Sequence, residues 1–329
     1  MKHLIFNIIL FFFIISSFAT AKSTHISSPL NSKTTSYNHH RFNYNVIDNT
    51  PLKYITNCEF YSCIIKNLKT PHLFHSSSKN NIFSGTLFDS IQLNNAHLTG
   101  FQFFQTTFEN SHLKATIFDQ AKFHLTSFKN SSLSSIVFYN SSFEKSDFSQ
   151  SKITNVILLN STLDAITKES LKGKKVIIGF EGLENHAKNK SVLQGLTFFK
   201  ILFKKRNLNY LTFKNTTFNF CNFNAIALRN TKIIESTLYQ SIFNEIQAYK
   251  MMLSSSTLNT TTVNDSNFEN TEFINSTFEN TEFKNVNFDQ SLWKNTRIIN
   301  SKFINCSFEN IITTNLTIIN SPSFGKSKN

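Results

Sequence analysis

The 329-residue chain carries 33 Lys and Arg against 20 Asp and Glu, a formal charge of +13, with 40% hydrophobic residues but only seven Gly and four Pro. That balance argues against a uniformly acidic surface, and the regular apolar spacing described below argues against a disordered low-complexity chain. Beyond the first 21 residues no run is long and apolar enough to span a bilayer, which takes about 20 residues.

The chain opens with Met1-Lys2-His3, runs apolar from Leu4 to Ile15, and reaches Ala19-Thr20-Ala21. A basic start, an apolar core and an A-x-A site make a secretory signal, with cleavage expected after Ala21. The expected location is therefore periplasmic or extracellular. Residues 22–82 read as a leader or cap. In it Cys58 and Cys63 precede Phe60 and Ile65 by two positions. Two roles stay open for them: opening a cap coil, or pairing with each other. His39 and His40, and His72 and His75, have no matched cysteine or carboxylate cluster, so no metal or cofactor is expected.

From Phe83 an apolar residue recurs at every fifth position: Phe88, Leu93, Leu98, Phe103, Phe108, Leu113, Phe118, Phe123, Phe128 and onward to Leu163. A period of five is neither the two of a strand nor the 3.6 of a helix, and marks a repeat architecture. Two positions before each centre stands a small residue, as at Thr106, Ser111, Thr116 and Ala121. Large and small residues alternating around a narrow tube fill it. Charges fall one position either side of the centre, facing water, and there His97 and His112 read as surface residues. Asn dominates two positions after it, as at Asn275, Asn280, Asn295 and Asn300, where a corner needs an unusual backbone.

The phase breaks at Lys168. Thr167–Gly173 reads as a short helix stopped by glycine, and Lys175–Ile178 as a short strand. Between Lys168 and Lys214 eleven Lys or Arg stand against three Glu. The period can be stretched through Leu193, Phe198, Phe203 and Leu208, but that sets Arg206 at an inward position, which is costly without a partner. Residues 166–212 are therefore read as a basic cap and connector, and the second repeat block as 213–320, followed by a tail, 321–329. Within the connector Phe199, Lys200, Lys204, Lys205 and Arg206 form a candidate interaction patch. It suits an anionic membrane surface, or a rod end that its apolar side covers while the lysines stay wet. Ala248 is a weak centre and suggests a bulge or loop at Ile246 to Met252. Cys221 and Cys306, both at small-residue positions, are expected to be buried and free.

The run Ser266-Asn267-Phe268-Glu269-Asn270, Thr271-Glu272-Phe273-Ile274-Asn275, Ser276-Thr277-Phe278-Glu279-Asn280 resembles the pentapeptide-repeat family. The resemblance implies an all-β, right-handed quadrilateral β-helix with four pentads per coil, here a first solenoid at 83–165 and a second from 213. Asn275 would then lie under Asn295 and Asn280 under Asn300. Phe108, Phe118, Phe128, Phe273, Phe278, Phe283 and Trp293 would form the core.

No nucleophile motif, phosphate-binding glycine loop or metal-binding helix occurs, so a non-enzymatic protein without cofactor is expected. The leading expectation is an exported scaffold that binds a protein or envelope component. The family resemblance also raises mimicry of DNA toward gyrase, because some relatives protect gyrase with an acidic rod. Export and positive charge oppose it here, and nucleic acid is a poor candidate partner. Pairing through solenoid ends is a further option, because each end is an unpaired edge.

Overall fold

The computed structural model describes residues 36–48, 54–68 and 78–325. The signal sequence, His72 and His75 lie outside them. The chain is a parallel β-solenoid in two blocks, with two short helices between them. Strands of three residues centre on the fifth-position side chains, and each coil pairs with the next at a spacing of 20, as in Phe103 with Phe123 and Leu253 with Phe273. Three sides of a second-block coil are strands; the fourth is a single bridge per coil, running Asn207, Ala227, Gln247, Asn267, Asn287, Ser307.

Each part of the pentad has one task. The centres point inward: Phe108, Phe118, Phe128, Phe273, Phe278, Phe283 and Trp293 are all buried. Successive coils stack their rings, with Phe83, Phe103, Phe123 and Phe143 separated by 5.5, 5.0 and 4.6 Å between centroids. The small residues are buried too, and their hydroxyls are used. Thr106 Oγ1 donates to the carbonyls of Phe83 and Phe104, both at 3.1 Å. Such bonds meet the requirement that buried polar groups find partners. The corner residues take the left-handed backbone, Asn275 with φ of 51° and Asn295 with φ of 52°. Their amides form ladders: Asn295 Nδ2 donates to Asn275 Oδ1 at 2.9 Å, and Asn315 Nδ2 to Asn295 Oδ1 at 3.0 Å.

The first block starts earlier than the periodicity predicts. Strands Arg41–Asn43 and Glu59–Tyr61 belong to the same face as Ile82–Ser84, so the leader is itself coiled. The signal was hidden because the spacing is irregular. Phe42 pairs with Phe60 and Phe60 with Phe83, intervals of 18 and 23 residues instead of 20. Cys58 and Cys63 open this early coil and are free. Each thiol stands where a Ser or Thr hydroxyl stands elsewhere: Cys58 Sγ donates to the carbonyls of Tyr37 and Thr56, both at 3.4 Å. Cys221 and Cys306 are likewise buried, and neither is in a disulfide among the described residues.

The second block also starts earlier. Val192–Gln194, Thr197–Phe199 and Leu202–Lys204 pair in register with the strands 20 residues on, and Leu208 completes the coil. The block takes the inward Arg206 despite the cost, with its Nε buried and without a hydrogen-bond partner among the described residues. Its guanidinium reaches out over the ring of Phe180, 4.8 Å from the centroid. Nor is there a bulge at Ala248. Ile233 pairs with Leu253 and Phe243 with Val263 without interruption, and Ala248 is itself buried; an apolar void of about 20 Å³ in this stretch of the tube is lined by Phe243, Met251 and Val263.

Helix α1, Ala165–Ser170, ends the first block; Asp164 caps it by accepting from the Thr167 N–H at 2.9 Å. Strand Val176–Ile178 then adds to Val156–Leu158. Helix α2, Gly179–Lys188, was missed in the sequence, where it is masked by the connector's polar composition. It covers the start of the second block, and Glu184 Oε1 accepts from the otherwise unpaired N–H of Asn207 at 2.9 Å. At the far end the last strands, Ile312–Thr314 and Thr317–Ile319, are exposed on all residues. Phe324 folds back onto the last complete coil, against Trp293, Phe303 and Phe308 at 5.1, 5.2 and 4.9 Å. No helix among the described residues is long and apolar enough to cross a membrane.

Candidate binding site at the junction of the two blocks

The two blocks are docked side by side, and the docking breaks the rule that flanking positions face water. Ile117, Val137, Ile157 and Leu159 flank their centres, yet all four are buried. Val137, Ile157 and Leu159 join Leu183 and Ala187 of α2 in the core that continues into the second block. Runs such as Val137-Phe138-Tyr139 and Ile157-Leu158-Leu159, apolar at three adjacent positions, were the available sequence signal.

Polar contacts fix the register of the docking. Asn155 Nδ2 and Ser135 Oγ both donate to the Gln194 carbonyl. Gly195, with φ of 68°, turns the chain immediately after that contact. His97, expected on the surface, sits against Phe199 with 4.2 Å between ring centroids. Burial and then the nearby Lys200 charge push the His97 imidazole down to about 4, so it is neutral at physiological pH. Burial raises the carboxyl of Asp119, against the opposing effects of the Asn140 hydrogen bond and of Lys200.

The predicted patch is therefore divided. Phe199 and Lys200 belong to the junction. Arg206 lies over Phe180, and Lys205 and Arg206 line a shallow groove shared with Glu184, Glu245 and Asp265. Lys204 is exposed on the strand between. Phe198 and Phe203, which made the segment read as amphipathic, are buried in the tube.

A second depression was not foreseen. A cleft of about 680 Å³ opens where the first block, the connector and the second block meet. Lys114, Lys174, Lys175 and His186 line it together with Val192 and Asn215, and among the described residues no Asp or Glu does. Lys174 Nζ is tied to the carbonyls of Ser149 and Ser151 at 3.1 and 2.7 Å, which holds its charge in place. His186 Nδ1 donates to the Gly182 carbonyl at 3.0 Å, which leaves Nε2 for other partners. Lys175–Ile178 is legible in the sequence as a strand within the basic connector, but Lys114 is not, because it is brought to the connector only by the fold. Among the described residues no group of three or more His, Cys, Asp or Glu is placed to hold a metal.

A family profile described as pentapeptide repeats matches eight copies, at residues 121–160 and 253–290. The chain carries pentapeptide repeats in both of its blocks. No curated relative matches its sequence. Solved structures similar to it include Rfr23 from the cyanobacterium Cyanothece 51142, at 10% identity, covering 42% of this chain and 97% of that one with a TM-score of 0.27. HetL from Nostoc sp. strain PCC 7120, described as involved in heterocyst differentiation regulation, is 11% identical over 87% of this chain and 90% of that one, TM-score 0.22. The plasmid-mediated fluoroquinolone resistance protein QnrB1 is 14% identical over 69% and 83%, TM-score 0.21.

Proposed function

We propose that this pentapeptide-repeat scaffold is exported and non-enzymatic, and that it binds a protein or envelope component at the junction of its two blocks. The observation that carries this reading is the cleft. The repeat commits the inward Phe, Ser and Thr residues and many corner Asn residues to stacks and ladders, whereas the cleft gathers exposed charge of one sign on a rigid frame. The signal sequence supports the location. The divided basic patch gives less support to membrane docking, since its aromatic side chains face the tube or the junction. The mixed charges of the second block, such as Glu282 beside Lys302 in adjacent coils, give little support to mimicry of a uniformly charged duplex.

The reading is tested by fractionating cells that express the tagged full-length chain and recovering partners from the envelope fraction by affinity capture under native conditions. The expected result is a processed chain outside the cytoplasm with a saturable partner. A chain retained in the cytoplasm, or captured partners no different from those of an untagged control, would count against it.

A further inference from the structure

We infer that the junction cleft binds an acidic peptide segment in extended form, added as a strand to the open edge of Val192–Gln194. The inference rests on the reading of the junction as a binding surface and names the chemistry of its occupant.

The first observation is the edge. Among the described residues Val192–Gln194 is the first strand of its sheet and pairs only with Thr212–Lys214. The bonds flanking it, from Thr212 N to Ser191 O and from Gly195 N to Lys214 O, both run toward the next coil at 3.0 Å. Alternation along a parallel strand then turns the main-chain groups of Val192 and Gln194 to the opposite side. The Gln194 carbonyl confirms that direction, because it meets Asn155 and Ser135 of the first block there. Among the described residues no strand occupies the remainder of that side, and Val192, 57% exposed, lines the cleft. An open edge of this kind is a template for an added strand.

The second observation is the charge. Lys114 and Lys175 are exposed, Lys174 is anchored, and among the described residues no carboxylate lines the cleft to neutralise them. The shallow groove beside Arg206, by contrast, carries Glu184, Glu245 and Asp265. Strand addition supplies main-chain bonds, alternate side chains of the added strand reach the two sides, and acidic ones meet the lysines. The exposed Val192 side chain favours an apolar residue between acidic ones. Nucleic acid fits less well, because the cleft lining has no Phe, Tyr or Trp on which a base could stack.

The test uses the full chain and a short fluorescein-labelled peptide alternating Glu and Val, read by fluorescence anisotropy. Saturable binding is expected, weakened about tenfold or more in the Gln–Val peptide and in the Lys114→Glu, Lys175→Glu double variant, as for loss of paired charges. N-methylation of alternate peptide amides is expected to weaken it about as much by removing strand bonds. Val192→Pro, which removes an N–H outside the ladder, is expected to act likewise. If that variant fails to fold, the N-methylated peptide carries the same question. Absence of saturable binding, equal affinity for the Gln–Val or N-methylated peptide, or equal affinity for duplex DNA or an acidic oligosaccharide would overturn the inference. A partner captured from the envelope despite such a result would leave the scaffold reading standing and remove only this occupant.

Discussion

The imidazole of His97, on a flank of the first block, packs 4.2 Å from the ring of Phe199 in the first coil of the second. The contact has a pH signature. His97 is held near 4 in the folded chain by burial and then by Lys200, against an ordinary value of 6.5. Between those values the unfolded chain binds more protons than the folded one, so stability falls as pH is lowered from 6.5 to 4. Asp119, raised by burial, has the opposite sign and offsets part of the loss at the acid end. Urea midpoints measured across this window should decline on acidification, and His97→Gln should flatten the decline. An unchanged slope in that variant would place the effect elsewhere.

The docking itself is tested at Val137, a flanking residue with no exposed surface. Val137→Asp places an unpaired carboxylate between the blocks, a cost on the order of 3 kcal/mol. The tubes do not depend on this side chain, so far-ultraviolet circular dichroism should retain its strand signal. Limited proteolysis should accelerate within residues 171–191. Loss of the strand signal instead would mean that the junction is required for the first block to fold.

Leu125 occupies a corner with φ of 51° and is 42% exposed. A left-handed backbone costs an ordinary side chain roughly 1–2 kcal/mol, and Asn tolerates it better. Leu125→Asn should therefore stabilise the first block by about 1 kcal/mol, seen as slower hydrogen exchange in the strands Lys122–His124 and Ser142–Glu144.

The void lined by Phe243, Met251 and Val263 offers a gain by filling. At about 24 cal/mol per Å³, the roughly 20 Å³ of apolar space corresponds to about 0.5 kcal/mol. Val263→Ile should raise the thermal midpoint slightly, whereas Val263→Phe should overfill the space and lower it.

The architecture was legible because one interval, five, recurs with its small and corner residues in phase. Where the interval changes, as between Phe42, Phe60 and Phe83, periodicity could not see coils that strand pairing makes plain. Arg206 misled for a different reason: the tube end accepts it with its Nε buried and unbonded, and the contact of its guanidinium with the Phe180 ring offsets part of that cost. The site was least legible of all. Lys114, Lys175 and Val192 share a cleft only because two blocks dock, and docking is written in departures from the repeat, such as Val137 and Leu159, that look like noise in a list of pentads.

Phe324 has a wider consequence. It closes the last complete coil from outside the five-residue pattern, through contacts with Trp293, Phe303 and Phe308. Length and closure are thus separable properties of the second block. Twenty residues removed or duplicated between two corners would leave every remaining coil with the same neighbours above and below, and the plug with a similar seat. The α2 cover and the cleft, at the opposite end, would not register the change. Reach can therefore be adjusted in steps of one coil while the binding end stays constant.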